Sequence, residues 1–192
     1  MPTYAAGDFV AVQIYGFVGI SDITASAAGW TQRLGFHPTS QNTNLLAVFT
    51  RVMTGSEGSS VTFTFAGTFP QNARPAATAT AYTHPNAATP VEVSVATYNP
   101  GASTGSWSLG PLTTTGPNRV LLVFGGWNTP LVTYPGVKRF ENNESNPGGG
   151  TYNLSLVEIA AGGAGSYTET GTLSQPNTLG GAGMIALEAA KL

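Results

Sequence analysis

Val120-Leu121-Leu122-Val123-Phe124 decides how this chain folds. Side chains of a strand point alternately to its two faces, so a run that is apolar at every position must bury both. Five residues are a strand's length, too short for a buried helix. The run reads as a central strand between layers. Upstream, Gly116-Pro117-Asn118 supplies a turn.

Outward from this run the chain is strand throughout. Phe9-Val10-Ala11-Val12-Gln13-Ile14-Tyr15 alternates, with Val10, Val12 and Ile14 on one face. Leu45–Arg51 follows, and Val61-Thr62-Phe63-Thr64-Phe65 sets Val61, Phe63 and Phe65 toward a core and threonines toward water. Pro90–Val95 repeats the pattern, and Tyr152–Glu158 and Met184–Glu188 complete the set of strands. Turn clusters separate the runs, among them Thr54–Gly58, Pro147–Gly150, Gly162–Gly165 and Gly180-Gly181; the glycines of 148–150 and 162–163 are expected at positive φ. The longer stretches Gly16–Gly29, Phe69–Thr78, Pro100–Gly105 and Asn142–Gly150 read as loops. No window of helical periodicity is free of Gly or Pro. The expected fold is all-β: a single antiparallel β-sandwich, jelly-roll-like, of about 8–12 strands, occupying residues 1–192 as one domain.

The chain also resembles itself. Residues 7–66 and 117–173 present matching segments in matching order, including Gln32-Arg33-Leu34 against Lys138-Arg139-Phe140. Two readings stay open: a two-fold repeat, or two generic β-meanders that look alike.

Composition bounds the function. Only 7 basic and 9 acidic residues occur among 192, 8% of the chain, against about 25% in an ordinary soluble protein. The surface must be built mostly of Thr, Ser, Asn, Gly, Ala and Pro. A formal net charge of −2 gives no footprint for nucleic acid and no polybasic attraction to a membrane. There is no cysteine, so no disulfide scaffold. Met1–Asp8 lacks the basic and apolar regions of a signal peptide, so synthesis in a cytoplasm is expected.

Chemistry-bearing residues are sparse. Gly101-Ala102-Ser103-Thr104-Gly105 matches a nucleophile elbow, but Ser106-Trp107-Ser108-Leu109 after it alternates like a strand rather than a helix. His37 and His84 each precede proline, and Asp8 and Asp22 form no ligand spacing, so no metal and no cofactor is expected. Glu141 and Glu144 read as solvated loop charges, and Glu92 and Glu158 as strand charges; nothing pairs them as acid and base. No catalytic residue and no enzymatic activity is expected. Trp30 and Trp107 read as core. Trp127 and Tyr134, flanking Asn128-Thr129-Pro130, are the candidates for exposed aromatics that would contact a glycan or a partner.

The segment order resembles a jelly-roll-like module of tailed-bacteriophage virions and related bacterial surface proteins. The resemblance rests on Gly7–Val12, Ala28-Gly29-Trp30-Thr31, Leu45–Phe49, Leu112–Gly125, Gly150-Thr151-Tyr152 and Met184–Leu187, and it spans nearly the whole chain. It implies a virion structural protein with no catalytic residues: a capsid decoration or cement protein, forming a homo-oligomer with a trimer favoured, and contacting the major capsid protein. The alternative it implies is a tail-fibre or spike module that binds a host-surface glycan.

Overall fold

The computed structural model describes residues 1–16, 20–25, 27–35, 45–67, 75–83, 90–98, 105–146, 150–175 and 180–188. Among them are fourteen strands and no helix. β1 (Phe9–Gly16), β2 (Ile20–Ala25), β3 (Thr31–Gly35), β4 (Leu45–Val52), β5 (Phe63–Gly67) and β6 (Ala76–Tyr82) come first, then β7 (Val91–Tyr98) and β8 (Ser106–Thr114). β9 (Arg119–Trp127), β10 (Leu131–Thr133), β11 (Val137–Asn146), β12 (Gly150–Ala161), β13 (Gly165–Leu173) and β14 (Gly181–Glu188) complete the chain. Every pairing is antiparallel.

The strands form four sheets, ordered β3-β4-β1-β6, β11-β12-β9-β14-β7, β10-β13-β8 and β2-β5. The alternation of side chains stacks them as layers. In β9, Leu122 and Phe124 enter a core with Phe9, Ala11, Leu34 and Val48, joining the two large sheets face to face. Leu121, Val123 and Trp127 point the other way, into a core with Trp107, Leu109 and Leu112 of β8. β1 behaves alike: Phe9 and Ala11 face the five-stranded sheet, while Val10, Val12 and Ile14 meet Ile23, Phe49 and the half-buried Phe63 and Phe65 beneath β2-β5. The sandwich is thus four sheets deep, with β1 and β9 buried on both faces. The double-sided burial expected of Val120–Phe124 is present, though Val120 itself is only half-buried. In β1 it extends to Phe9, Ala11 and Gln13, residues of the face opposite Val10 and Val12. Gln13 is 1% exposed, and its Nε2 donates to the Gly125 carbonyl of the opposing sheet at 2.7 Å.

Pairing recurs between the two parts of the chain. β3-β4-β1-β6 and β2-β5 have the same order and polarity as β11-β12-β9-β14 and β10-β13. The irregularities recur as well: between Gln32 and Leu34 and between Lys138 and Phe140, and again between Ile20 and Asp22 and between Leu131 and Thr133. β7 and β8 have no counterparts among the described residues of the first part; they extend the second part by pairing with β14 and β13.

Several sequence expectations need correction. The stretch 16–29 contains β2, which earns its place by burying Ile23. β6 begins at Ala76, inside the presumed loop 69–78; its alanines have weak strand preference, but β1 supplies a full ladder from Phe9↔Tyr82 to Tyr15↔Ala76. β11 runs on to Asn146 because it keeps pairing with β12 through Asn146↔Gly150. Gly162 and Gly163 do not have positive φ; a Cβ at either would meet nothing within 4 Å.

Candidate interaction surface

The outermost layer, β10-β13-β8, turns one face to the core and one to solvent. β8 buries Trp107, Leu109, Leu112 and Thr114 and exposes Ser106, Ser108, Pro111 and Thr113. β13 exposes Ser166, Thr168 and Thr170. The register sets these hydroxyls opposite one another: Ser106↔Thr172, Ser108↔Thr170, Thr113↔Ser166. Thr133 of β10 extends the row, its Oγ1 lying 2.7 Å from Thr172 Oγ1. Such cross-strand hydroxyl pairs stabilise a sheet modestly. The face carries no Lys, Arg, Asp or Glu; Glu169 belongs to the half-buried set that alternates with the exposed hydroxyls, and burial pushes its carboxyl pKa up. The far layer, β2-β5, repeats the chemistry on a smaller scale, with exposed Thr24 opposite exposed Thr64.

The aromatic candidates are not on this surface. Trp127 is 1% exposed and stacks on Trp107 with ring centroids 6.4 Å apart. This corrects its expected exposure, and the reason is local. Gly125, two residues earlier on the same face, leaves a seat that the Trp127 indole fills; a Cβ there would strike the indole and the Ser155 hydroxyl. Gly171 does the same for Trp107. Tyr134 is half-buried against the Trp127 core, and Lys138 Nζ sits 5.0 Å from its ring centroid, so a cation already occupies that ring face. Trp30, expected in the core, is only half-buried, set edge-on to Phe63 at 5.9 Å. It lines a cavity of about 280 Å³ with Met53, Arg51 and Glu57.

The carboxylates hold loops and strand ends together. Glu57 accepts from Thr54 N at 2.8 Å and Gly55 N at 3.0 Å, and Arg51 lies 2.8 Å away. Burial pushes its carboxyl up, but the Thr54 hydrogen bonds and the Arg51 charge outweigh that and hold it at about 2. Glu141, read from sequence as a loop charge, lies on β11 with its side chain 12% exposed. It accepts from Leu131 N at 2.7 Å and Asn153 Nδ2 at 2.8 Å and pairs with Lys138 at 2.5 Å. Burial again acts upward, and these partners again win, keeping it below the usual carboxylate value. Glu92 pairs with Arg119 at 2.7 Å and Glu158 with Arg139 at 2.5 Å. Arg119 also lies 3.5 Å from Glu188, so the Glu92 and Glu188 carboxylates share one guanidinium between them. Asp8 accepts from Ala5 N at 2.7 Å in the turn before β1. Ser103, His37, His84 and the side chains of Asp22 and Glu144 lie outside the described residues. Among the described residues no group of three His, Cys, Asp or Glu is placed to hold a metal, and no helix is long and apolar enough to cross a membrane.

No protein-family model, no curated protein and no solved structure matches this chain.

Proposed function

We propose that this chain is a structural protein of a bacteriophage virion, a capsid decoration or cement protein that works through protein–protein contacts as a homo-oligomer. The observation that carries the reading is the charge-free hydroxyl face of β10-β13-β8. Charged residues are depleted at the cores of protein interfaces because their hydration must be stripped on contact. A face of threonine and serine sheds water at far lower cost and still offers donors and acceptors. The nested pairing β7·β14, β8·β13 and β9·β12 supports the jelly-roll part of the reading, since a jelly roll is a long hairpin rolled so that its strands pair in this order.

Light scattering on the purified chain tests it. The expected result is an oligomer that Thr170→Glu and Ser108→Glu shift toward monomer while the β spectrum is retained. A chain that stays monomeric at every concentration and fails to co-sediment with capsid shells overturns it. The alternative, a fibre or spike module binding a host glycan, loses Trp127 as its platform; Trp30 is the aromatic left half-open beside polar groups.

A further inference from the structure

The recurrence of strand pairing gives the paired positions of β1 and β6 counterparts in β9 and β14, and one row of counterparts differs in burial. In the second part, Ala182, Met184 and Ala186 of β14 point into the core that β8 roofs, and they are 2%, 0% and 0% exposed. Their counterparts follow from the ladders. Val123 stands opposite Met184 as Val12 stands opposite Ala79, so Ala77, Ala79 and Ala81 of β6 are the matching row. Among the described residues no strand roofs that row. Ala77 is exposed, and Ala79 and Ala81 are only half-buried.

The difference has one source. β14 pairs with β9 on one side and β7 on the other, and β13 pairs with β10 and β8. β6 pairs with β1 alone and β5 with β2 alone, so among the described residues each has a free edge. Between those two edges lies a cleft of about 230 Å³ whose walls include Val12, Val61, Phe63, Ala77 and Ala79. No acidic or basic side chain lines it; Met1, whose N-terminal ammonium donates to the Ser59 carbonyl, is part of the wall. It sits where the β7–β8 pair, whose strands lie against one another, closes the other part.

We propose that this cleft is a strand-acceptor site: an extended segment of another polypeptide, poor in charge and with apolar residues at alternate positions, pairs antiparallel with β6 and sets those residues against Ala77, Ala79 and Phe63. Main-chain hydrogen bonds supply affinity in such strand addition, and the alternate side chains supply specificity. The required chemistry is that of the segment filling the equivalent place in the same molecule: β7 reads Val91-Glu92-Val93-Ser94-Val95, and β8 reads Ser106-Trp107-Ser108-Leu109. The inference stands independently of the hydroxyl face.

The probe is a synthetic peptide of residues 90–115, fluorescently labelled, titrated against the full chain, with a scrambled peptide as control. Saturable binding of the native-sequence peptide alone is expected, with slowed hydrogen exchange at β6 amides. Ala77→Glu, a change at an exposed position, is expected to weaken binding at least tenfold without altering the unfolding curve; Thr113→Glu on the opposite outer layer is expected to leave it unchanged. Three results overturn the proposal. One is the absence of binding while the β6 amides that face away from β1 exchange freely. Another is those outward amides already protected in a monomer. The last is a dimer whose formation protects β6 and excludes the peptide, which would make a second copy the occupant.

Discussion

Arg33 and Arg139 hold the same place in two different sheets. Each is the extra residue of a β-bulge, on β3 against β4 and on β11 against β12. Each reaches diagonally to the residue opposite its own i−2 neighbour. Arg33 Nε donates to Thr50 Oγ1 at 3.1 Å, and Thr50 faces Thr31; an Arg139 guanidinium nitrogen lies 2.5 Å from Glu158 Oε2, and Glu158 faces Val137. Immediately after each bulge a large apolar side chain, Leu34 or Phe140, enters the core between the two large sheets or packs against it.

The bulge therefore matters more than the guanidinium. Removing its residue slips the strand by one position and sends every side chain upstream to the wrong face. Deletion of Arg139 is expected to lower the urea midpoint clearly, whereas Arg139→Ala, on a side chain 54% exposed, is expected to move it little. Equal effects from the two changes would mean that the bulge is dispensable.

Gly126 is a seat for Tyr15 across the interface between the large sheets, and a Cβ there would overlap the ring of a residue that is 0% exposed. Gly126→Ala is expected to cost about 1–3 kcal/mol, the usual penalty for overfilling a packed core. Gly163→Ala, with open space around it, is the matched control and should leave chemical denaturation unaffected.

The three tryptophans should separate by quenching. Trp107 and Trp127 are 6% and 1% exposed, while Trp30 borders a cavity. Acrylamide is expected to quench one component of the emission, and Trp30→Phe to remove it. Trp127→Ala is expected to cost about 3–5 kcal/mol by leaving a cavity beside Trp107. A quenchable component that survives Trp30→Phe would place an interior indole at the surface.

Acid should loosen the turn after β4. Glu57 titrates at about 2 in the folded chain instead of 4.5. A depressed folded value contributes stability that is complete above the unfolded value and is lost as pH falls through the folded one. Between about pH 4.5 and 2 the native chain is expected to lose stability that Glu57→Gln has already lost, so the two acid-unfolding curves converge at the low end. Parallel curves across that window would show that Glu57 is not protected by its partners.

Tyr82 gives an alkaline counterpart. Burial, and secondarily the neighbouring Glu158 carboxylate, push its hydroxyl well above the ordinary tyrosine value. Tyr82→Phe is expected to leave the phenolate absorbance step below about pH 11 unchanged. A step reduced by one tyrosine would mean that the ring is wet.

How far the sequence could be read depended on where the determining information lay. The β9 run, the alternation of β1 and the apolar run of β14 are local patterns, and they announce strands at the right places. β6 was hidden because an alanine-threonine run carries no periodic contrast, and only the ladder offered by β1 makes it a strand. Trp127 was misread because the loop-like Asn128-Thr129-Pro130 after it is visible, whereas the vacancy that Gly125 opens beneath it is a tertiary fact. The depth of the stack was missed for a related reason. Val10, Val12 and Ile14 form one apolar face, and Phe9, Ala11 and Gln13 form the other; an amide on that second face disguises it as a solvent side. The polar outer face of β13 and β8 was there in the alternating Ser and Thr, but its freedom from charge becomes a surface property only once the register aligns the two strands.

That buried amide adds a directional bond to the alignment of the two large sheets. Packing such as Tyr15 over Gly126 already fits them together by shape, but shape alone carries no polar bond across the interface. The bond from Gln13 Nε2 to the Gly125 carbonyl, 112 residues away along the chain, is satisfied at one alignment only. It acts as a dowel, converting a greasy contact into a keyed joint, and Gln13→Leu should give a protein that stays folded yet shows more than one set of core resonances.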